Sequence, residues 1–377
     1  MKRALLAPLL AALCLVVAGG AAAPARAAVP SVHARAYVVV DARTGEVLAA
    51  SDPHAHLPIA SITKLMTVLI TLEHHKLTDV VTVDPRAAAV GESSANLRSG
   101  EQLTVRDLLK AALIQSANDA ADALALSIAP DYGAFATLMN AKAAELGLHD
   151  SHFIRPDGLD LPGEYSSAAD ATKLGRLVMH TRFVRETVSE ETDTIAGGRV
   201  LHTWDDLLTE FPQTIGVKTG HTGAAGWCQV AAARSRGVTI YATLLGAPTR
   251  SVRNADLASL LAWGISQFRV APLVQSGRTY AEVELPYGKA PLALVASKPF
   301  LGVARVDRPL LERVVAVQVA SLPVHTGDVL GHVEVWAGNR LLVRRELVAS
   351  QTINKPGIVR RLGWYGRRAG HNLLHLL

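Results

Sequence analysis

Residues 58–70 read PIASITKLMTVLI, and a lysine stands in the middle of them. Ile59, Ile62, Leu65, Met66, Val68, Leu69 and Ile70 surround Lys64 on every side that a helix presents. A helix apolar all round is normally buried, and lysine is almost never fully buried without a partner. Either Lys64 reaches solvent at the helix start or a polar group from elsewhere in the chain holds it. Ser61, three residues earlier, shares its helical face. Pro58 just upstream makes Ser61 a helix-start residue, where outward N–H groups favour developing negative charge. A buried ammonium loses its proton readily, which suits Lys64 as base for the Ser61 hydroxyl.

Around this stretch, 377 residues allow two ordinary domains, or one large domain with an appendage. With 49% hydrophobic and 19% charged residues the chain has a globular composition. The net charge of +5 is concentrated at the ends. Lys2, Arg3 and Arg26 lie in the first 27 residues, and Lys355, Arg360, Arg361, Arg367 and Arg368 lie in an acid-free tail. The middle is slightly acidic, so no nucleic-acid-binding body is expected. MKR, the apolar run ALLAPLLAALCLVVAGG and the small-residue exit PARAAVPS describe a secretory leader over residues 1–27, cleaved near Ala27 or Ala28. Cys14 is discarded with it, and Cys228 remains alone, without an intramolecular disulfide. GWCQVAAA surrounds Cys228 like a strand interior, so it reads as a small buried hydrophobe and not as a catalytic thiol.

Beyond the leader, AYVVVDARTGEVLAAS describes a hairpin turning at Gly45. Residues 103–128 describe two helical segments meeting near QSAND, the first opened by a Thr104–Asp107 capping box. A helix over 132–146 closes at Gly147. Residues 155–169 form a Pro-, Gly- and Ser-rich loop, followed by the strand-like runs GVKTG, GWCQVAAARSRG and VTIYATLLGAP and a helix over 254–268. Short β-like runs take over near Pro272, which places a catalytic domain at 28–271 and a small all-β domain at 272–350. In the tail, 351–377, Ile358, Leu362, Tyr365, Ala369, Leu373 and Leu376 share one helical stripe. With Trp364 and the arginines, this suits a segment lying in a membrane interface. The alternative is a helix packed on its own domain, or a disordered tail, since Gly363, Gly366 and Gly370 weaken the helix.

SAN occurs twice, at Ser94–Asn96 and at Ser116–Asn118. The first reads as a solvated loop; the second closes the apolar stripe Leu108, Leu109, Ala112, Leu113, where a helix junction must satisfy polar groups. Ser116 and Asn118 are therefore the favoured partners. Lys218, Thr219 and Gly220 then place a cation and a hydroxyl on a strand, with a glycine that permits close backbone approach. Such a strand suits docking an extended peptide that ends in a carboxylate.

Taken together in this order, Ser-x-x-Lys, Ser-x-Asn and Lys-Thr-Gly resemble the active-site motifs of penicillin-binding proteins and class A β-lactamases. SANDAADALA, FATLMNAKAAELGL, RPDGLD, YSSAAD, GVKTGHTGAAGWC, LASLLAWG and TGDVLGHVEV extend the resemblance to the low-molecular-mass D-alanyl-D-alanine carboxypeptidases, over nearly the whole mature chain. The resemblance implies an α+β catalytic domain, an antiparallel sheet flanked by helices, followed by the all-β domain and an amphipathic anchor. It implies that Ser61 attacks the D-Ala-D-Ala terminus of a peptidoglycan stem peptide, with Lys64 as base, Ser116 as proton relay and Asn118 holding Lys64 and the substrate amide. Lys218, Thr219 and Gly220 would serve the terminal carboxylate, joined by Arg253 of TRSVRNAD, with Arg250 a nearby competitor. The N–H groups of Ser61 and His221 would form the oxyanion hole. β-Lactams are implied as inhibitors, and an extracytoplasmic location, peripherally attached to the membrane.

No metal or cofactor is expected, and His54, His56, His74 and His75 read as solvated loop and helix-end residues. One departure stands out. HTWDDLL carries Asp205 where family members have an asparagine, which puts the packing beneath the site in question. Endopeptidase activity on cross-links, a β-lactamase-like hydrolase and a silent scaffold are the competing readings. No Glu-x-x-Leu-Asn deacylation loop occurs between residues 119 and 217.

Overall fold

The computed structural model describes residues 15–17 and 28–374. The chain forms two compact units, Ala27–Ser266 and a second beginning at Gln267. In the first, five antiparallel strands form one sheet. The hairpin turning at Gly45 supplies β1 (Ala36–Asp41) and β2 (Val47–Ser51); later come β3 (Thr214–Thr222), β4 (Gly226–Ser235) and β5 (Val238–Ala247), in the order β2-β1-β5-β4-β3. The central strands read AYVVV, VAAA and ATLL because both sheet faces are covered. On one face Thr172 of the helix Ala168–Val178 hydrogen-bonds Thr243 of β5. On the other, Gly264 of the helix Arg250–Ser266 lies against Val39 and Ile240, so close that a Cβ at 264 would come within 2.8 Å of Ile240.

The all-helical part of this unit carries α1 (Lys64–His74), α2 (Val105–Leu113) and α3 (Asn118–Ile128). Leu65, Met66, Val68 and Ile70 of α1 are buried in one core with Leu108, Leu109, Ala120 and Leu124, so α1 is a core helix. Thr104 caps α2 as expected: its hydroxyl accepts from Asp107 N at 3.1 Å and donates to the Asp107 carboxylate at 2.9 Å. The helix Tyr132–Glu145 is followed by Gly147 in the left-handed region, φ +63. The helix expected over 254–268 starts earlier, at Arg250, because the Thr249 hydroxyl accepts from Val252 N and opens it.

The second unit begins ahead of Pro272. Phe268–Val274 pairs with Phe300–Arg305, and the register shift between Pro272 and Val274 accommodates a residue with no N–H to give. A larger antiparallel sheet follows the order Leu310–Ala316, Val329–Ala337, Arg340–Ala349, Leu292–Ala296, Thr279–Val283 around its own core of Val283, Leu292, Leu294, Val333 and Leu347. Of the expected leader, only Leu15–Val17 is described, as a short strand on the edge of Leu310–Ala316; the remainder, and any cleavage point near Ala27, lies outside the described residues. The tail glycines do not break its helix, which runs Ile358–Leu374. Trp364 and Tyr365 meet the Tyr287 ring edge-on, while Ile358, Val359 and Leu362 are exposed. Among the described residues, no helix is long and apolar enough to cross a membrane.

Candidate active site

Ser61 lies in a single 3-10 turn, Ala60–Thr63, which runs directly into Lys64 and α1. The turn is pressed from outside. Ala60 takes φ +50, and Gly158 (φ +77) lies so near that a Cβ there would come within 2.2 Å of Ala60 O. A left-handed non-glycine residue costs of order 1 kcal/mol and persists only where its surroundings hold it. Here the loop around Gly158 does so on one side. On the other, β3 approaches at Gly220, where a Cβ would sit 2.8 Å from Ile59 O and 3.1 Å from Ser61 N. Both glycines are required by proximity, and together they clamp the turn that presents Ser61.

Lys64 is fully buried. Its ammonium has three protons, and each has an acceptor: Ser61 Oγ at 2.8 Å, Asn118 Oδ1 at 2.6 Å and the Asp157 carbonyl at 2.6 Å. Burial pulls its pKa from the ordinary lysine range down to about 8, against the opposing pull of the Asp157, Asp122, Asp119 and Glu164 carboxylates. Deprotonation of Lys64 thus comes within reach of ordinary pH, and its amine lies 2.8 Å from the Ser61 hydroxyl, a distance at which an amine can act as general base. Arg155 fixes the two nearest carboxylates, donating to Asp157 and to Asp122. Burial, then the Asp157 charge, raises Asp122 to about 7.

Asn118 opens α3. Its Oδ1 faces Lys64 while its Nδ2 donates to Gly91 O at 3.0 Å, and its backbone N–H donates to Ser93 O at 2.8 Å. The first SAN is no solvated loop. Ser94 Oγ and the backbone N–H groups of Ala95 and Leu97 all donate to the Asp119 carboxylate, wrapping residues 91–97 around the start of α3. The first motif buttresses the second. Ser116 is left-handed as well, φ +61, and its hydroxyl accepts from Lys218 Nζ at 2.8 Å. Lys218, buried on β3, also donates to the Thr219 carbonyl; burial and the nearby Lys64 charge hold its pKa well below the usual lysine range.

Ser61, Ser116, Asn118, Thr219, Gly220, His221, Trp204, Trp227 and Arg253 line one cleft of about 250 Å³. Arg253, 1% exposed, faces the Trp227 ring at 5.6 Å, and Asn254 Oδ1 accepts from its guanidinium at 2.7 and 3.0 Å. Arg250 does not line the cleft. It is tied to the Asp206 carboxylate and lies over Trp204. His221 is exposed and packs against Trp227 with tilted rings, their centroids 4.0 Å apart, which shapes the rim. Trp204, Trp227, Gly158 and the Asp157 carbonyl are additions that the motifs did not single out.

Cys228 is buried, its thiol accepts from Gly246 N, and burial pushes it up to about 12, so it is an inert core residue. His54 and His56 are surface residues with a shared partner, Asp150, at 2.7 and 3.3 Å. Among the described residues no group of three or more His, Cys, Asp or Glu side chains is placed to hold a metal.

The profile of a D-alanyl-D-alanine carboxypeptidase family matches residues 23–249. The chain is 31% identical over 352 residues to the D-alanyl-D-alanine carboxypeptidase DacD of Salmonella typhimurium, covering 89% of this chain and 90% of that protein. It is 29% identical over 340 residues to DacF of Bacillus subtilis, covering 87% of each. Among solved structures, penicillin binding protein 5 from Haemophilus influenzae is similar with a TM-score of 0.63 and 26% identity, over 86% of this chain and 99% of that one.

Proposed function

The chain belongs to the D-alanyl-D-alanine carboxypeptidase family and is a serine-type hydrolase of that activity, and we propose that Ser61 is its nucleophile and Lys64 its general base. The observation that carries this reading is the 2.8 Å contact between Ser61 Oγ and a fully buried amine brought down to about 8. Neutral Lys64 takes the Ser61 proton as Oγ adds to the carbonyl of the penultimate D-Ala. The oxyanion forms beneath the N–H groups of Ser61 and His221, on the turn and strand that Gly220 brings together. The C–N bond then breaks, and the departing D-Ala amine receives its proton by way of Ser116. Water hydrolyses the acyl-enzyme and regenerates Ser61.

Lys218, Thr219 and Arg253 supply cations and a hydroxyl for the terminal carboxylate, and Asn118 holds both Lys64 and the substrate amide. A β-lactam enters the same course and stops at the acyl-enzyme. Residues 1–27 export the chain, and the tail holds it at the membrane surface; support for the latter is the exposed stripe Ile358, Val359, Leu362 and Tyr365 beside Arg360.

Labelled penicillin followed by intact mass spectrometry tests the assignment. One adduct is expected, lost in Ser61→Ala; an adduct that survives this change overturns it. D-Ala release from a pentapeptide ending in D-Ala-D-Ala is expected alongside. Cleavage of cross-linked dimers alone would move the activity to an endopeptidase.

A further inference from the structure

Asp205, the residue that departs from the family pattern, lies under the strand pair β3–β4 with only 5% of its surface exposed. Its Oδ1 accepts from Gln229 Nε2 at 2.7 Å and from Leu207 N at 3.1 Å. Gln229, on β4, is fully buried. The other oxygen of each group, Asp205 Oδ2 and Gln229 Oε1, is buried without a hydrogen-bond partner. Both orphans are acceptors, and they belong to the two groups that already share one hydrogen bond. A buried polar atom without a partner costs about 1–3 kcal/mol. One proton on Oδ2 removes both deficits, because a carboxylic acid donates to an amide oxygen while accepting from the amide N–H.

We propose that Asp205 is held as a neutral carboxylic acid, joined to the Gln229 amide by two hydrogen bonds, and that it positions the strand pair beneath the substrate's carboxylate without placing a negative charge there. The second part rests on the reading of Lys218 and Arg253 given under Proposed function; the protonation state does not. The charged groups that face Asp205 are Lys218 from β3, Arg253 from the helix Arg250–Ser266 and its neighbour Asp206. The two cations favour ionisation. Asp206 and, above all, burial oppose it, and burial prevails in raising the carboxyl above its usual range. An ionised Asp205 would draw on the same cations that the substrate carboxylate requires. A neutral one leaves them free.

The test compares the full-length chain with Asp205→Asn and Asp205→Leu. An acid whose folded pKa lies above its unfolded value of about 3.9 is a source of stability at low pH that is lost as pH rises. The melting temperature of Asp205→Asn should therefore gain on the wild type by a few degrees between about pH 4 and pH 8. A gap that stays constant, or one that moves in favour of the wild type as pH rises, overturns the proposal, the latter being the sign of an ionised, charge-paired Asp205. The infrared difference between wild type and Asp205→Asn at pH 7 should carry the carbonyl stretch of a protonated acid; carboxylate bands alone refute it. Asp205→Leu leaves the Gln229 amide unpaired and should melt roughly 3–8 °C lower, with Asp205→Asn restoring the loss. None of these readouts depends on which residue is the nucleophile, so the proposal and the assigned mechanism fail separately.

Discussion

Raising the pH from 6 to 9 should accelerate acylation of Ser61 along the titration of one amine, with the midpoint near pH 8. With Lys64 at about 8, its neutral fraction is about 1% at pH 6, about 9% at pH 7, about half at pH 8 and about nine-tenths at pH 9. The rate should climb roughly tenfold over the first of these steps, about fivefold over the second and less than twofold over the third. Lys64→Arg supplies the control. Guanidinium keeps a positive charge and donors for Asn118 Oδ1 and the Asp157 carbonyl, but it cannot be deprotonated. Since a positioned general base contributes about 10²- to 10⁴-fold, the variant should acylate at least about a hundredfold more slowly at pH 8 and show no rise. Stopped-flow with a fluorescent penicillin measures both, and circular dichroism at each pH verifies the fold. A wild-type rate that is flat from pH 6 to 9 refutes the argument, as does a Lys64→Arg enzyme that keeps a tenth of the wild-type rate.

Two further outcomes follow from the site and the tail. Arg253→Gln removes a buried cation beside Lys218 while leaving Asp206 its contact with Arg250; KM for a peptide with a free terminal carboxylate should rise about 10- to 100-fold, with a smaller change in kcat. Replacing that carboxylate by an amide should erase the difference between variant and wild type, and an unchanged KM would remove Arg253 from the carboxylate subsite. Deletion of residues 354–377 should release the protein from sedimented membranes into the soluble fraction, and unchanged sedimentation would dismiss the tail as an anchor.

The parts of the site that the sequence made legible are those with a physical contradiction to resolve. Lys64 among apolar neighbours required a polar partner, and Asn118 is that partner. Gly45 at the hairpin and Thr104 with Asp107 at the start of α2 were readable because their effects reach only a few residues along the chain. What escaped reading acts across the fold or through the backbone. The carbonyl of Asp157 holds Lys64 as closely as Asn118 does, yet a carbonyl has no signature in the sequence. Ser94–Asn96 passed for a solvated loop because the residue it serves, Asp119, lies more than twenty positions away. The boundary read near Pro272 rests on the short β-like runs that follow it, but the second unit already begins at Gln267, and a bulge in its first strand absorbs the proline.

Lys64 also explains the buried carboxylates Asp157 and Asp122, which stand close to the site without lining its cleft. Burial alone would take the amine lower still, and a weak base removes a serine proton poorly however often it is free. The Asp157 and Asp122 charges act in the opposite direction and hold the amine at about 8, close enough to physiological pH to be both available and strong. Arg155 donates to both carboxylates and so holds them in place near Lys64. The loop that carries Arg155 and Asp157 also carries Gly158, which presses on Ala60 beside Ser61. One segment thus sets the basicity of Lys64 and the position of Ser61 together, and a change that moves the loop should disturb both at once.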